Sequence, residues 1–283
     1  MESSVLHIDL TVPQGWHELS DKQLRYAFEL IAKGFTSDDK QCKREQSRAC
    51  SSYAECSLFS CEEIKTLCLF RWSGLSVRHR HNADFICRLG KQTFRLTALQ
   101  IAEVLSALDW LDTIPPQPVC ISRIGRYRPF AADFSEVAFE KFIICDNLYQ
   151  GYLATQRDDL LDQLASILYL SKPSTINSKL RLTAAERTSV FYWFASVKDL
   201  FARQFPNFFQ PSAQPDNLLG SNRLPTGAQI QQAVNTMIRA LTKGDITKER
   251  EILSLDTHRA LTELDAQAKE YRELNSRLKV HGS

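Results

Sequence analysis

The chain has 283 residues, of which 43% are hydrophobic, and its 35 lysines and arginines against 33 acidic residues leave a formal charge of only +2. These values predict one large domain or two small ones with a core of their own, which needs neither disulfides nor metals for stability. The near-neutral charge excludes a global field that would gather nucleic acid or an anionic membrane, so any such attraction must be local.

The sequence also predicts where the chain is found. Its N-terminus lacks the apolar core of a secretory signal, and its hydrophobic runs are far shorter than the roughly 20 residues of a membrane-spanning helix. We therefore expect a cytoplasmic protein without a membrane partner. Because the cytoplasm is reducing, the eight cysteines do not indicate disulfides.

The first predicted elements are a strand over residues 5–12 and a helix from about Ser20 to Lys33, whose apolar residues recur at helical spacing. Gly34 follows this helix and is typical of a C-cap. A second helix is predicted to begin at Ser60, the first residue of a capping-box pattern, and to end near Gly74.

Residues 37–63, which span the polar stretch between these helices and the start of the second, contain four of the cysteines: Cys42, Cys50, Cys56 and Cys61. None of their spacings is the C-x2-C pair that presents two thiolates to a zinc ion from one tight turn. We predict that residues 36–58 are an inserted surface loop with free thiols. A zinc or redox site in this loop is the less favoured interpretation.

Beyond Gly74, apolar residues from Phe85 to Leu96 flank a short glycine turn at residues 89–91 and predict a β-hairpin. Thr97 is the predicted cap of the next helix, which ends before the prolines that begin at Pro115. The apolar face of this helix is predicted to consist of Leu99, Val104, Leu108 and Leu111. Residues 119–157 mix helix and strand patterns, and their arrangement stays open.

From about Asp158 the pattern is mainly helical, and the helix after Thr183 has aromatic residues on more than one side, which predicts central burial. The predicted fold class is therefore mainly α with a small β component, comprising a helical core, a short β-hairpin and a long C-terminal amphipathic helix. Three regions are expected: an α+β domain over residues 1–205, a linker rich in Pro and Asn over 206–227, and a C-terminal helical segment over 228–283.

The C-terminal segment ends in a long charged helix with one narrow apolar stripe. Such a stripe must be covered, either by the core of the same chain, which is the default, or by a partner. The charged flanks, together with the helices already available for a core, favour the hypothesis that a partner covers the stripe. Its candidate partner-binding residues are Leu261, Leu264, Tyr271, Leu274 and Leu278.

The sequence contains no phosphate-binding glycine loop, no dinucleotide-binding glycine pattern and no nucleophile elbow, so we predict no catalytic residue and no cofactor. His79, His81 and Asp84 imitate part of a metallo-hydrolase motif, because two histidines at i and i+2 share one face of an extended segment. The acid is displaced by one position and the next histidine is missing. Exposed loop residues are the favoured interpretation, and a metallo-enzyme is the minor alternative.

The same region is locally basic, since residues 64–130 contain ten lysines and arginines against four acids. Arginines pair well with phosphate, yet their stems also cover apolar surface. The candidate residues for an anion or nucleic acid are Arg78, Arg80, Arg88 and Arg95. A nucleic-acid-binding accessory protein is the second-ranked hypothesis.

Four stretches carry a resemblance to a known family: LTVPQGWHELSDKQLRYAFELIAKGF, IKTLCLFRWSGL, LTALQIAEVLSALDWL and MIRALTKGDITKEREILSLDTHRALTELDAQAKEYRELN. Together they resemble an uncharacterised protein family carried by phages and prophages of gut Bacteroidales. The resemblance covers most of the chain apart from the cysteine loop. A short loop is normal there in that family, so the insertion departs from it and leaves any role of Cys42, Cys50 and Cys56 in doubt.

What the resemblance implies is a non-enzymatic structural or assembly protein of the virion, similar in style to tail assembly chaperones. Its implied partners are other virion or assembly proteins, or a second copy of the chain. Its implied location is the host cytoplasm or the virion itself.

Overall fold

A computed structural model describes residues 12–36, 61–81, 84–170, 180–209 and 227–281. These residues are mainly helical and include a small antiparallel sheet, which confirms the predicted fold class. The strand predicted over residues 5–12, apart from Val12, and the insertion predicted over 36–58, apart from Thr36, lie outside the described residues.

The chain forms two compact units, one from residues 1–115 with 184–188 and the other from 116–183 with 189–283. This division differs from the domains predicted from the sequence. The C-terminal segment belongs to the same unit as residues 116–183, because its last two helices pack against a helix of that stretch.

In the first unit, helix α1 (Asp21–Thr36) packs against α2 (Cys61–Trp72). Gly34 lies inside α1 and is not its C-cap, which corrects the predicted helix end. Gly74 does end α2, as predicted, with a φ of +73° that favours glycine.

An aromatic cluster forms part of the core of this unit. Trp16 stacks on Phe28 of α1 with ring centroids 5.4 Å apart and meets Trp110 edge-on at 5.3 Å. Trp72 of α2 stacks on the other side of Trp110 at 6.1 Å.

The buried Lys65 adds ion pairs to Asp109, at 2.6 Å, and to Asp112. These contacts hold both helices against residues 106–112.

The sheet of the first unit has the order β1 (Ser76–His81), β2 (Asp84–Leu89) and β3 (Gln92–Thr97), all antiparallel. The predicted hairpin is confirmed, and Gly90 in its turn has a φ of +59°. Strand β1 corrects the interpretation of this stretch as a loop, because its backbone pairs with β2 through a bulge between Val77 and His79.

The helix after the sheet is α3 (Ala98–Leu105), and Thr97 caps it through a full capping box, as predicted. It continues as a 3₁₀ helix over Ser106–Asp112, in which Leu108 and Leu111 are buried. Leu99 does not belong to the apolar face, since it is 80% exposed, and Ile101 takes its place in the core.

The second unit contains most of the helices. In chain order its elements are β4 (Arg128–Pro129), α4 (Phe139–Thr155), α5 (Asp158–Leu168), β5 (Tyr169–Leu170), α6 (Ala184–Gln204), α7 (Pro206–Phe209), α8 (Gly227–Thr242), α9 (Glu249–Ser254) and α10 (Thr257–His281). Helix α6 belongs to this unit from residue 189 onward. Helix α7 occupies the start of the stretch predicted as a linker, and residues 210–226 lie outside the described residues.

Helix α6 has the central burial that its aromatic pattern predicts, with Trp193, Phe194 and Phe201 fully buried. Their rings surround Phe134, which belongs to the irregular segment before α4. That segment was the part whose arrangement the sequence left open. It is fixed by long-range hydrogen bonds, such as the one of 2.7 Å that the Trp193 indole donates to the Ala132 carbonyl.

Candidate partner-binding surface on the C-terminal helix

The first turn of α10 is bonded to the segment before α4. The carboxylate of Asp256 accepts hydrogen bonds from the backbone N–H groups of Arg259, at 3.2 Å, and Glu136, at 2.9 Å. It therefore caps the helix and holds a distant segment at once. The buried Thr257 donates both its backbone N–H and its hydroxyl to the Val137 carbonyl, at 2.9 and 2.6 Å.

The next side chains of the predicted stripe are buried within the chain. Leu261 is 0% exposed and Leu264 is 4% exposed, and α10 packs here against α4, α7 and α8. Of the five partner-binding candidates, these two therefore belong to the core. A partner could reach them only by opening the second unit.

Helix α7 covers one flank of the middle of α10. Asp265 accepts hydrogen bonds of 2.9 Å from the Asn207 side chain and from the Phe208 backbone N–H. About two turns later, Arg272 donates to the carbonyl and side-chain oxygens of Asn207. These bonds fix α7 to the flank of α10 that carries Asp265 and Arg272.

Beyond this contact the stripe is exposed. Tyr271 is 67% exposed and Leu274 is 58% exposed, whereas Leu264 and Leu261, about two and three turns before Tyr271 in the same stripe, are in the core. The side chain of Leu278, the last candidate, lies outside the described residues. The sequence stripe is thus one continuous pattern that the fold divides into a buried and an exposed part.

Two charged residues lie beside the exposed leucine. Glu270, Leu274 and Arg277 are spaced i, i+4 and i+7, which places them along one flank of the helix. Arg272 lies on roughly the opposite flank, where α7 lies, and the side chain of Arg277 also lines the depression beside α7. We call Glu270, Tyr271, Leu274 and Arg277 the distal face; all four are exposed. Neither Glu270 nor Arg277 forms an ion pair with any part of the chain that the structure describes.

Sequence reasoning missed Glu270 and Arg277 as members of the candidate site. It treated the charges of the helix only as solvated flanks of the stripe. The available signal was their spacing from Leu274, which sets one acid and one base on the same side of an exposed leucine.

The predicted anion-binding arginines lie on the sheet of the first unit. Arg95 pairs with Ile86 across the hairpin and Arg88 pairs with Thr93, so Arg88 and Arg95 are diagonal neighbours on one face. Arg88 also donates a 2.7 Å hydrogen bond to the Gly90 carbonyl. Arg78 is exposed at the bulge of β1, and the side chain of Arg80 lies outside the described residues.

The metal candidates are described only by their backbone. His79 pairs with Ile86 and His81 pairs with Asp84 across β1 and β2, and the side chains of all three candidates lie outside the described residues. Among the side chains that are described, no group of three or more His, Cys, Asp or Glu residues could hold a metal ion.

The buried cysteines are poor nucleophiles in this environment. Burial raises the pKa of the Cys68 thiol to about 12, and it also raises the pKa of Cys87 and of Cys145. All three are free and remain protonated at neutral pH, whereas nucleophilic attack requires the thiolate.

Comparisons with known proteins add no relative: no family model, curated protein or solved structure matches the chain. Within the described parts of the chain, no helix combines the length and the apolar character that crossing a membrane requires. The candidate surface therefore has to be judged from its own geometry.

Proposed function

We propose that this chain is a non-enzymatic structural or assembly protein of a phage or prophage, and that it acts by binding another protein chain through the distal face. The observation that supports binding is the division of α10: the stripe that contributes Leu261 to the core continues outward with Tyr271 and Leu274 exposed. The resemblance described above supplies the phage and virion part of the proposal.

The chemistry of the distal face suits a protein partner. A tyrosine and a leucine at helical spacing provide an aromatic and an aliphatic anchor, and the charges beside them provide a polar rim. An amphipathic helix of this kind binds when its apolar side is laid against a complementary helix or groove.

The test uses two matched leucine substitutions. Leu274→Asp places a carboxylate on the distal face, and Leu99→Asp places the same group on another leucine, which is 80% exposed in the first unit. Both variants should keep the wild-type circular dichroism spectrum. In cells that carry the native phage or prophage, affinity-tagged wild type and Leu99→Asp should retain a virion or assembly protein, and Leu274→Asp should lose it.

Two results would contradict this function. Retention of the same partner by Leu274→Asp would exclude the distal face as the binding surface. Identification of the retained protein as a component of host metabolism would exclude the assembly role.

A nucleic-acid-binding accessory protein is the second candidate, and the shared sheet face of Arg88 and Arg95 favours it. Binding by these arginines would release counterions from phosphates, so the affinity would fall steeply with salt. Filter binding to single- and double-stranded DNA tests it. We expect weak binding at physiological salt; tight binding whose salt slope decreases in Arg88→Gln with Arg95→Gln would promote this candidate.

A further inference from the structure

The distal face carries its charges in a self-complementary order. Glu270 lies one turn before Leu274 and Arg277 lies about one turn after it, on the same flank. A second helix that runs antiparallel along this flank would place its own Arg277 beside Glu270 and its own Glu270 beside Arg277. A parallel helix would instead place like charges together.

From this order we propose that the occupant of the distal face is a second copy of this chain, paired antiparallel about a twofold axis near Leu274. This proposal rests on the proposed function, because it names the partner of the same surface. In such an isologous contact, if one residue contacts a second residue of the other copy, the second residue also contacts the first across the axis. Leu274 packs on Leu274 of the second copy, and two Glu270–Arg277 pairs flank the axis.

Glu270 and Leu274 are exposed on the flank that the second copy needs, and Arg277 lies at its edge, where its side chain also lines the depression beside α7. Helix α7 is bonded through Asn207 to Arg272, on the other side of α10. Both charged residues of the distal face are exposed and form no ion pair within the described residues.

The interface is small, since each chain contributes two large apolar side chains and two charges. Small interfaces are weak and reversible, so we expect a dimer with a Kd on the order of 10 µM or weaker. A weak dimer of this kind would exchange readily with other protein partners that use the same helix.

Sedimentation velocity of the full chain over a concentration series tests the proposal. The wild type should shift from monomer to dimer. Glu270→Lys and Arg277→Glu should each weaken the dimer about tenfold, because each change converts two attractive pairs into repulsive ones. A 1:1 mixture of the two variants should recover dimerisation, since both cross pairs are again opposite in sign. The control is Arg250→Glu, which changes the net charge by the same amount as Arg277→Glu at an exposed residue of α9; it should dimerise like the wild type.

A second measurement needs no variant. Exposed cross pairs are screened by salt, so the wild-type dimer should weaken as the salt concentration rises from about 0.05 to about 0.5 M. A dimer that is insensitive to salt, or one that both single variants leave intact, would overturn the proposed pairing. A wild-type chain that stays monomeric at about thirtyfold the expected Kd would overturn it as well.

These outcomes are separable from failure of the proposed function. A monomeric wild type whose capture of a virion protein still depends on Leu274 leaves the function intact and assigns the distal face to that other protein. A salt-sensitive dimer without any captured virion protein supports the pairing and removes the assembly role.

Discussion

The two ends of α10 have similar sequence patterns and different surroundings. At its start, Leu261 is buried, and Asp256 and Thr257 bond to the segment before α4. At its end, Tyr271 and Leu274 are exposed beside Glu270 and Arg277, which form no ion pair within the described residues. An apolar stripe on a helix therefore predicts a contact surface. Whether that surface is buried by the same chain depends on how the other elements pack around it.

The difference also separates two kinds of effect that substitutions in this helix should have. Changes at its start act on the free energy of unfolding, because they remove contacts inside the core. Changes at its end should act on association and leave unfolding nearly unchanged. Each substitution below tests that separation.

The largest expected effect comes from truncating matched leucines at the two ends. Leu261→Ala should lower the free energy of unfolding by about 2–5 kcal/mol, because it leaves a cavity at a fully buried site. Leu274→Ala should change it by no more than about 0.5 kcal/mol. Urea unfolding followed by circular dichroism, at a concentration where the chain is monomeric, measures both. Equal costs at the two positions would remove the distinction between buried and exposed halves.

The sequence predicted the secondary-structure elements better than it predicted which face of each element is buried. Local signals located the Gly90 turn and the Thr97 capping box, and both are confirmed. Leu99 was assigned to the wrong face although helical spacing alone excludes it. At about 100° per residue, Leu99 lies about 140° around α3 from Val104, whereas Ile101 lies within about 60° of Val104.

The irregular segment before α4 could not be predicted because its bonds are not local. Its carbonyls accept hydrogen bonds from Trp193, 61 residues away, and from Thr257, 120 residues away. The same reason limits prediction of the site. The sequence places Leu264 and Leu274 in one stripe. No local sequence signal indicates the residue at which α7 and α4 stop packing against that stripe.

A smaller effect is expected at the cap of α10. Asp256→Ala removes the acceptor for two backbone N–H groups, those of Arg259 and Glu136, and should cost about 1–2 kcal/mol. Asp245→Ala is the matched control, since Asp245 caps the exposed 3₁₀ turn over Ile246–Lys248 through the Thr247 N–H. The control should cost less. Equal losses would show that the bond to Glu136 contributes nothing beyond an ordinary cap.

The border between the two halves can be tested at Asp265. Asp265→Ala removes the bonds that hold Asn207 and Phe208, and should cost about 1 kcal/mol. Its more specific effect is local: amide hydrogen exchange of α7 should accelerate. Exchange around Leu261 should stay slow, and dimerisation should be unaffected. Glu263→Ala, an exposed carboxylate two residues earlier, is the control. Faster exchange throughout α10 would place the border elsewhere.

The smallest effect concerns pH at Asp133, in the segment to which the start of α10 is bonded. Partial burial raises the pKa of Asp133, but the hydrogen bonds donated by the Ser135 hydroxyl and backbone N–H outweigh it and hold this pKa below its ordinary value. A carboxyl with a depressed pKa in the folded state contributes stability above its unfolded pKa of about 3.9 and loses it as the pH falls through the folded value. Asp133→Asn should therefore be less stable than wild type at pH 7, and the difference should shrink as the pH is lowered from 7 through the folded pKa of Asp133. Urea unfolding of both proteins across this range gives the difference directly and cancels the other carboxyls that the two chains share. A difference in stability that stays constant with pH would mean that the asparagine side chain is destabilising for steric or hydrogen-bonding reasons. The charge of Asp133 would then not stabilise the segment that anchors α10.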